Sequence, residues 1–359
     1  MKKITKIGLS ALCGSLATFS AANAGGMKVL GNTHATWTNV QGVTGQPLGM
    51  KTNLSFVGDG ELDGGQTFSV TIAHNDQNAW SSANISLTTN VLGTFKLSSA
   101  EGSGGIGGYD DNMPRAFEET WDAGVGTNVN LQKGVGSSTN LSWTTPSKFA
   151  TTLQLAWSPQ NDGSQPTDKS MGGSQGSSIY HDGIDAVLRI KPSYGAFGAD
   201  WFIGGSKTVQ EKTVAGKEEK SADHEEAVSG LTLTLGPISV GGQVSAESTG
   251  NEDAGETQYY ANSSIGGSLN INDNLSLSYS ETRHLTSIVD NTHNAVNTVG
   301  QAIDGSSYTP KTTMRGESWQ VAYTLGGIAL KYAQTEFENV KYTKGSTDEA
   351  KVLSLSMAF

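Results

Sequence analysis

The chain has 359 residues, of which only 35% are hydrophobic and 16% are charged, and 46 glycines are many for one large soluble domain. The formal net charge of −11 would repel phosphate backbones, which argues against nucleic acid as a partner. The single cysteine, Cys13, lies close to the N-terminus, so disulfide bonds cannot stabilise the rest of the chain.

The first 24 residues have the order of a secretory signal peptide. Three lysines precede an apolar run from Ile7 to about Phe19, and the small residues that end at Ala24 predict cleavage there. The apolar run is shorter than the roughly 18 to 20 residues of a membrane-spanning helix. We therefore predict a signal peptide over residues 1–24 and one mature domain over 25–359, with 20 basic and 34 acidic residues and a net charge near −14.

The mature sequence alternates apolar and polar residues, which is typical of β-strands with two unlike faces. In the eighth predicted strand, Ile184 and Leu188 share one face, whereas Asp185 and Arg189 share the other. The same pattern predicts sixteen strands, over residues 27–38, 47–58, 66–74, 81–90, 94–99, 136–145, 150–158, 182–191, 196–208, 225–235, 238–249, 259–271, 274–284, 316–325, 328–336 and 349–359.

Short turns and long loops alternate between these strands. Seven joints are short, and the alternate ones are mostly longer and richer in charge, glycine and serine, as in 100–135. No apolar stretch after the signal peptide is long enough to cross a membrane as a helix, whereas strands of about 9 to 11 residues suit a tilted crossing. The pattern therefore predicts an all-β fold, an antiparallel up-and-down transmembrane barrel of sixteen strands.

Aromatic residues add a second pattern, since two girdles are typical of membrane barrels. Six lie beside predicted short turns or at the short-turn end, namely Phe56, Phe68, Phe95, Phe149, Phe197 and Phe359. Four lie nearer the predicted long loops, namely Trp37, Trp80, Trp157 and Trp201.

The end of the chain and one internal segment resemble a known family. Phe359, with Met357 and Leu355 two and four positions before it, resembles the signal read by the assembly machinery of outer-membrane barrels. Residues 140–149 (NLSWTTPSKF) are similar to the strand and turn that follow the third loop of general diffusion porins. The resemblance covers the mature chain and implies a homotrimer of sixteen-stranded barrels in contact with lipid, in the outer membrane of a Gram-negative bacterium.

In that family the third long loop folds into the barrel and narrows the pore, and here that loop is 100–135. The resemblance implies a constriction formed by loop residues and by bases of the wall, namely Asp110, Asp111, Arg115, Glu118, Glu119, Asp122, Lys51, Lys96 and Arg189. The first strands carry no arginine-rich ladder, which departs from the family pattern. Within the loop, Met113, Phe117 and Trp121 recur every fourth residue, and this spacing predicts a short helical turn against another surface.

We therefore expect a non-enzymatic channel for passive diffusion of small hydrophilic solutes and ions, weakly selective for cations because acids outnumber bases in the loop. A substrate-selective porin and a barrel with enzymatic or adhesive activity at its rim stay open as alternatives. No cofactor or metal is expected. The six histidines, His34, His74, His181, His224, His284 and His293, show no metal-ligand spacing and are interpreted mostly as solvated. The acidic loop 252–256 shows no readable Ca²⁺ pattern either.

Overall fold

The computed structural model describes most of the predicted mature domain. The described residues are 23–24, 27–43, 45–75, 78–99, 101–102, 104–136, 138–161, 180–214, 217–220, 222–251, 256–288 and 311–358. Most of the predicted signal peptide, His293, acidic residues 252–255 and the terminal Phe359 lie outside them. The signal peptide and the terminal assembly signal accordingly stay predictions.

Sixteen antiparallel strands of the described chain form one sheet around a barrel. They are β1 (Lys28–Val40), β2 (Leu48–Glu61), β3 (Thr67–Asn75), β4 (Asn78–Thr89), β5 (Gly93–Ser99), β6 (Asn140–Thr144), β7 (Thr151–Ser158), β8 (Tyr180–Ile190), β9 (Phe197–Val214), β10 (His224–Leu235), β11 (Ile238–Ser248), β12 (Thr257–Asn270), β13 (Leu275–Ile288), β14 (Lys311–Leu325), β15 (Ile328–Glu338) and β16 (Thr347–Ala358). Each strand pairs with the next, and β16 pairs with β1, so that Val352 lies opposite Thr38 and the barrel closes. The predicted strand number and topology are confirmed.

Shorter elements extend this barrel. The two-residue strand Asn23–Ala24 pairs with β2, Ser193–Tyr194 pairs with the start of β9, and Lys217–Lys220 pairs with its far end. Two short 3₁₀ helices cover Gly105–Tyr109 and Val340–Tyr342. Among the described residues, no helix is long and apolar enough to cross a membrane.

The two faces of the barrel wall differ as the alternation predicts. On β8, Ile184 is 55% exposed on the outside, whereas the next residue, Asp185, is 1% exposed on the inside. On β16, Leu355 and Met357 are exposed on the outer face, whereas Ser354 is buried on the inner one. Apolar side chains thus cover the outside of the barrel, and polar side chains line the inside.

Four aromatic residues with described side chains lie where the girdle prediction puts them, and Trp201 does not. Phe149 and Phe197 are exposed beside short turns, and Trp37 and Trp157 are exposed near the opposite ends of their strands. The prediction for Trp201 was wrong, because β9 begins at Phe197 and continues to Val214. Trp201 therefore lies nearer the short-turn end of its strand.

Candidate functional site

Both ends of the third loop bind one buried carboxylate of the wall. The backbone N–H groups of Ile106 and Val135 donate to Asp185 Oδ2 over 2.9 and 3.2 Å. Gly105 and Gly134 lie against the same oxygen at positive φ angles of 59° and 53°, and a Cβ atom at either position would come within 1.9 and 2.1 Å of it. Only glycine fits this close approach without strain. Gly105 and Gly134 therefore allow the loop backbone to pack around Asp185.

A second carboxylate holds the end of the loop. Glu226 on β10 accepts the N–H groups of Lys133 and Gly134 over 2.8 and 2.6 Å. On the neighbouring strand, Glu247 accepts a hydrogen bond from the side chain of Asn130. These three hydrogen bonds join residues 130–134 to two carboxyl groups of the wall, so they fix the end of the loop on the inner face.

Glutamines of the wall hold the middle of the loop. Gln243 on β11 accepts the N–H of Asn112 over 3.0 Å and donates to the carbonyl of Asp110 over 2.7 Å. Gln320 on β14 accepts the N–H of Phe117 over 2.9 Å. The loop therefore lies against inward-facing side chains far around the barrel from β8.

The helical turn predicted from the spacing of Met113, Phe117 and Trp121 is wrong. The fully described residues 111–121 form bends and the start of a hydrogen-bonded turn, and contain no helix. Backbone N–H groups that would form hydrogen bonds within a helix instead donate to side chains of the wall. The N–H of Ala116, for example, donates to Ser278 Oγ over 2.9 Å. The predicted packing is nevertheless present, because Met113 and Trp121 are buried.

The second half of the loop packs into an apolar cluster at the opposite wall. Trp121 and Val125 of the loop contact side chains of β14, β15, β16 and the 3₁₀ segment that follows β15, namely Met314, Phe337, Val340 and Ala350. Trp121 also meets the ring of His284 edge-on at 5.5 Å. His284 is fully buried, contrary to the general expectation of solvated histidines, and bonds to Asn262 over 2.8 Å.

Two of the predicted constriction acids share one arginine. Arg115 lies 2.9 Å from Asp111 and also forms an ion pair with Glu119. Burial still raises the pKa of Glu119 to about 7, because loss of water disfavours the charged carboxylate. The pKa of Asp110 is raised to about 6, mainly by burial and to a smaller extent by repulsion from Asp111. Part of the loop's negative charge therefore depends on pH near neutrality.

The other two acids face lysines of the wall. Burial raises the pKa of Glu118, and so does the charge of Asp122, whereas Lys331 and Lys51 oppose the shift. Lys331 Nζ lies 5.4 Å from the centroid of the Phe117 ring. A space of about 480 Å³ separates this part of the loop from β1, β2 and β16, and its lining includes His34, Lys51, Phe117, Glu118 and Ser354.

The remaining predicted wall bases have other partners. Lys96 forms an ion pair with Glu101 at the start of the loop. Arg189 donates to Asp200 through Nε over 2.7 Å and lies 5.7 Å from the ring centroid of Tyr109. Among the three predicted wall bases, Lys51 faces the acids between residues 110 and 122, whereas Lys96 and Arg189 do not. Lys331, which sequence reasoning missed, has inward parity on β15 and could have been found from the alternation.

Comparison with known proteins supports the fold. No protein-family model matches the sequence. No curated protein matches it either. The anion-selective porin of Comamonas acidovorans superposes with a TM-score of 0.59 at 12% identity, over 94% of this chain and 100% of that one. The trimer form of OmpT, an outer membrane protein of Vibrio cholerae, superposes with a TM-score of 0.58 at 9% identity, over 95% of this chain and 100% of that one. The outer membrane channel DcaP of Acinetobacter baumannii superposes with a TM-score of 0.56 at 13% identity, over 94% of this chain and 97% of that one. The chain thus has the sixteen-stranded fold of these barrels, as the predicted resemblance to porins implied.

Proposed function

We propose that the protein is an outer-membrane porin, a water-filled channel for passive diffusion of small hydrophilic solutes and ions. The observation that carries the proposal is the path of the third loop. Residues 104–136 bind inward-facing carboxylates and amides of the wall, while apolar side chains cover the outside of the barrel. A barrel with a polar interior crossed by a loop suits restricted passage of water and solutes.

The constriction would lie between the loop and the wall at β1, β2 and β15. Its charged groups would be Lys331 and seven of the nine residues predicted from the sequence, namely Asp110, Asp111, Arg115, Glu118, Glu119, Asp122 and Lys51. The other two predicted residues, Lys96 and Arg189, pair with Glu101 and Asp200 instead. Carboxylates outnumber cationic groups in this set. Weak cation selectivity is the expectation, because a low-dielectric wall strengthens the field of each uncompensated charge.

Conductance in planar bilayers tests the channel function. We expect discrete conductance steps and a reversal potential that indicates cation preference under a KCl gradient. Absence of conductance from folded protein would contradict the proposal and favour a rim-borne activity. Saturable block by one sugar or small anion would instead indicate a substrate-selective porin. Amide replacement of Asp110, Asp111, Glu118 and Glu119 should shift the reversal potential toward anion preference, and an unchanged value would show that the loop does not set selectivity.

The location and assembly follow from the same proposal. A cleaved signal peptide over 1–24 would direct export, and the end of β16 would be recognised by the barrel assembly machinery. A homotrimer is supported by small residues on the outer face of β1, where Thr33 and Ala35 lie opposite Met357 and Leu355. Small side chains permit close approach of a second subunit. Cross-linking and native mass measurement in mild detergent should show three chains, and a monomer would refute this assembly.

A further inference from the structure

One imidazole and two carboxylates converge where the third loop returns to the wall. The ligand atoms of His224, Glu226 and Glu247 lie within 4.8 Å of one another. Glu226 on β10 lies directly opposite Glu247 on β11, and His224 precedes Glu226 by two residues and so shares its inward face. The sequence does not reveal this group, because its third member comes from the next strand.

The three side chains are largely removed from water. Glu226 is 6% exposed, and the side chains of His224 and Glu247 are 14% and 11% exposed. His224 Nε2 lies 3.0 Å from Glu247 Oε1. The other polar contacts come from neutral groups, namely the Asn130 amide and two backbone N–H groups of the loop. Two buried carboxylates this close repel each other, and a divalent cation would cancel that repulsion.

The loop segment that contacts the cluster also contains a buried amide without hydrogen-bond partners among the described residues. Gln132 is 1% exposed, and neither its Nε2 nor its Oε1 has a hydrogen-bond partner among the described residues. It lies in the chain between Asn130 and Lys133, the residues that bind Glu247 and Glu226. A buried amide without partners costs free energy, so the loop segment that binds the cluster still carries an unsatisfied polar group.

We propose that His224, Glu226 and Glu247 bind a divalent transition-metal ion that ties the end of the third loop to the wall. One imidazole nitrogen and two carboxylate oxygens are a ligand set that suits Zn²⁺, with bonds of about 2.0 to 2.2 Å and a further position for water. The ion would replace the hydrogen bond between His224 and Glu247. Because Glu226 and Glu247 also hold backbone and side-chain groups of the loop, bound metal would restrain residues 130–134. The inference does not depend on the proposed conductance.

Binding of Zn²⁺ to the folded, detergent-solubilised protein tests this site. We expect about one Zn²⁺ per chain by calorimetry, and a Co²⁺ absorption spectrum typical of low coordination number. His224→Gln and Glu247→Gln should each weaken binding at least tenfold. His181→Gln is the matched control, since His181 pairs with a single carboxylate, that of Glu211, over 3.3 Å. It should bind like wild type.

Two results would overturn the proposal. One is wild-type protein that takes up no Zn²⁺ above the level of the Glu247→Gln variant. The other is a His224→Gln variant that binds Zn²⁺ as tightly as wild type. Heat-modifiable migration of each variant on a gel shows whether it is folded. Glu247→Gln preserves the size of the side chain and removes the repulsion between Glu226 and Glu247, so this variant still tests the site if His224→Gln fails to fold.

Discussion

The ion preference of the proposed pore should weaken as pH falls from 8 to 5, because two loop acids take up protons in this range. Burial raises the pKa of Glu119 to about 7, and burial with repulsion from Asp111 raises that of Asp110 to about 6. A carboxyl group is charged above its pKa and neutral below it. At pH 5 about 90% of Asp110 and about 99% of Glu119 would be protonated, whereas at pH 8 both would be mostly ionised.

The charge balance in the constriction gives the expected magnitude. At pH 8, five acids between 110 and 122 face Arg115, Lys51 and Lys331, which leaves two negative charges in excess. Loss of the charges on Asp110 and Glu119 removes this excess. One unit charge about 6 Å from a passing ion interacts with it by about 0.7 kcal/mol in water. This energy corresponds to a roughly threefold change in the local cation concentration. We therefore expect the cation-to-anion permeability ratio to fall about threefold or more between pH 8 and pH 5 at low salt.

Reversal potentials at pH 5, 6, 7 and 8 under a KCl gradient measure this ratio. The double variant Asp110→Asn, Glu119→Gln should lose most of the pH dependence. Glu225→Gln, which changes an exposed acid on the outer face of β10, should behave like wild type. A wild-type ratio that is equal at pH 5 and pH 8, or higher at pH 5, would refute the assignment of these two acids to the ion path.

Two further predictions concern folding. Asp185→Ala removes the acceptor of the N–H groups of Ile106 and Val135. Each buried N–H left without an acceptor costs about 1 to 3 kcal/mol of stability. The urea midpoint of this variant should therefore be clearly lower than that of the exposed control Asp182→Ala. Equal midpoints for the two variants would contradict the anchoring role. Deletion of Phe359 should impair insertion into the outer membrane, and normal heat-modifiable protein in membrane fractions from this deletion would count against the assembly signal.

The barrel could be predicted from the sequence because strand alternation is a local property. The parity that separates Ile184 from Asp185 recurs on strand after strand, and the turns between strands are marked by glycine, proline and asparagine. The path of the third loop could not be predicted in this way. The alternation places Asp185 on the polar face of its strand, but its partner Ile106 lies 79 positions away in a segment without strand periodicity.

The errors in the loop have the same cause. The spacing from Met113 to Trp121 is helical, yet Ser278 and Gln320 bind the backbone that a helix would use, so tertiary hydrogen bonds override the local pattern. Arg189 has the predicted inward parity, but its partner is Asp200 on the adjacent strand. Parity indicates which face a residue occupies and does not indicate which charge it meets across the barrel.

The central claim is that the third loop narrows a conducting pore, and single-cysteine labelling tests it most directly. The predicted mature chain contains no cysteine, so Glu118→Cys introduces a single thiol at the proposed constriction. A bulky thiol reagent should reduce the single-channel conductance of this variant in discrete steps. It should leave the channel of the control Glu338→Cys, at the outward-facing end of β15, unchanged. Complete modification of Glu118→Cys without any change in conductance would contradict the claim.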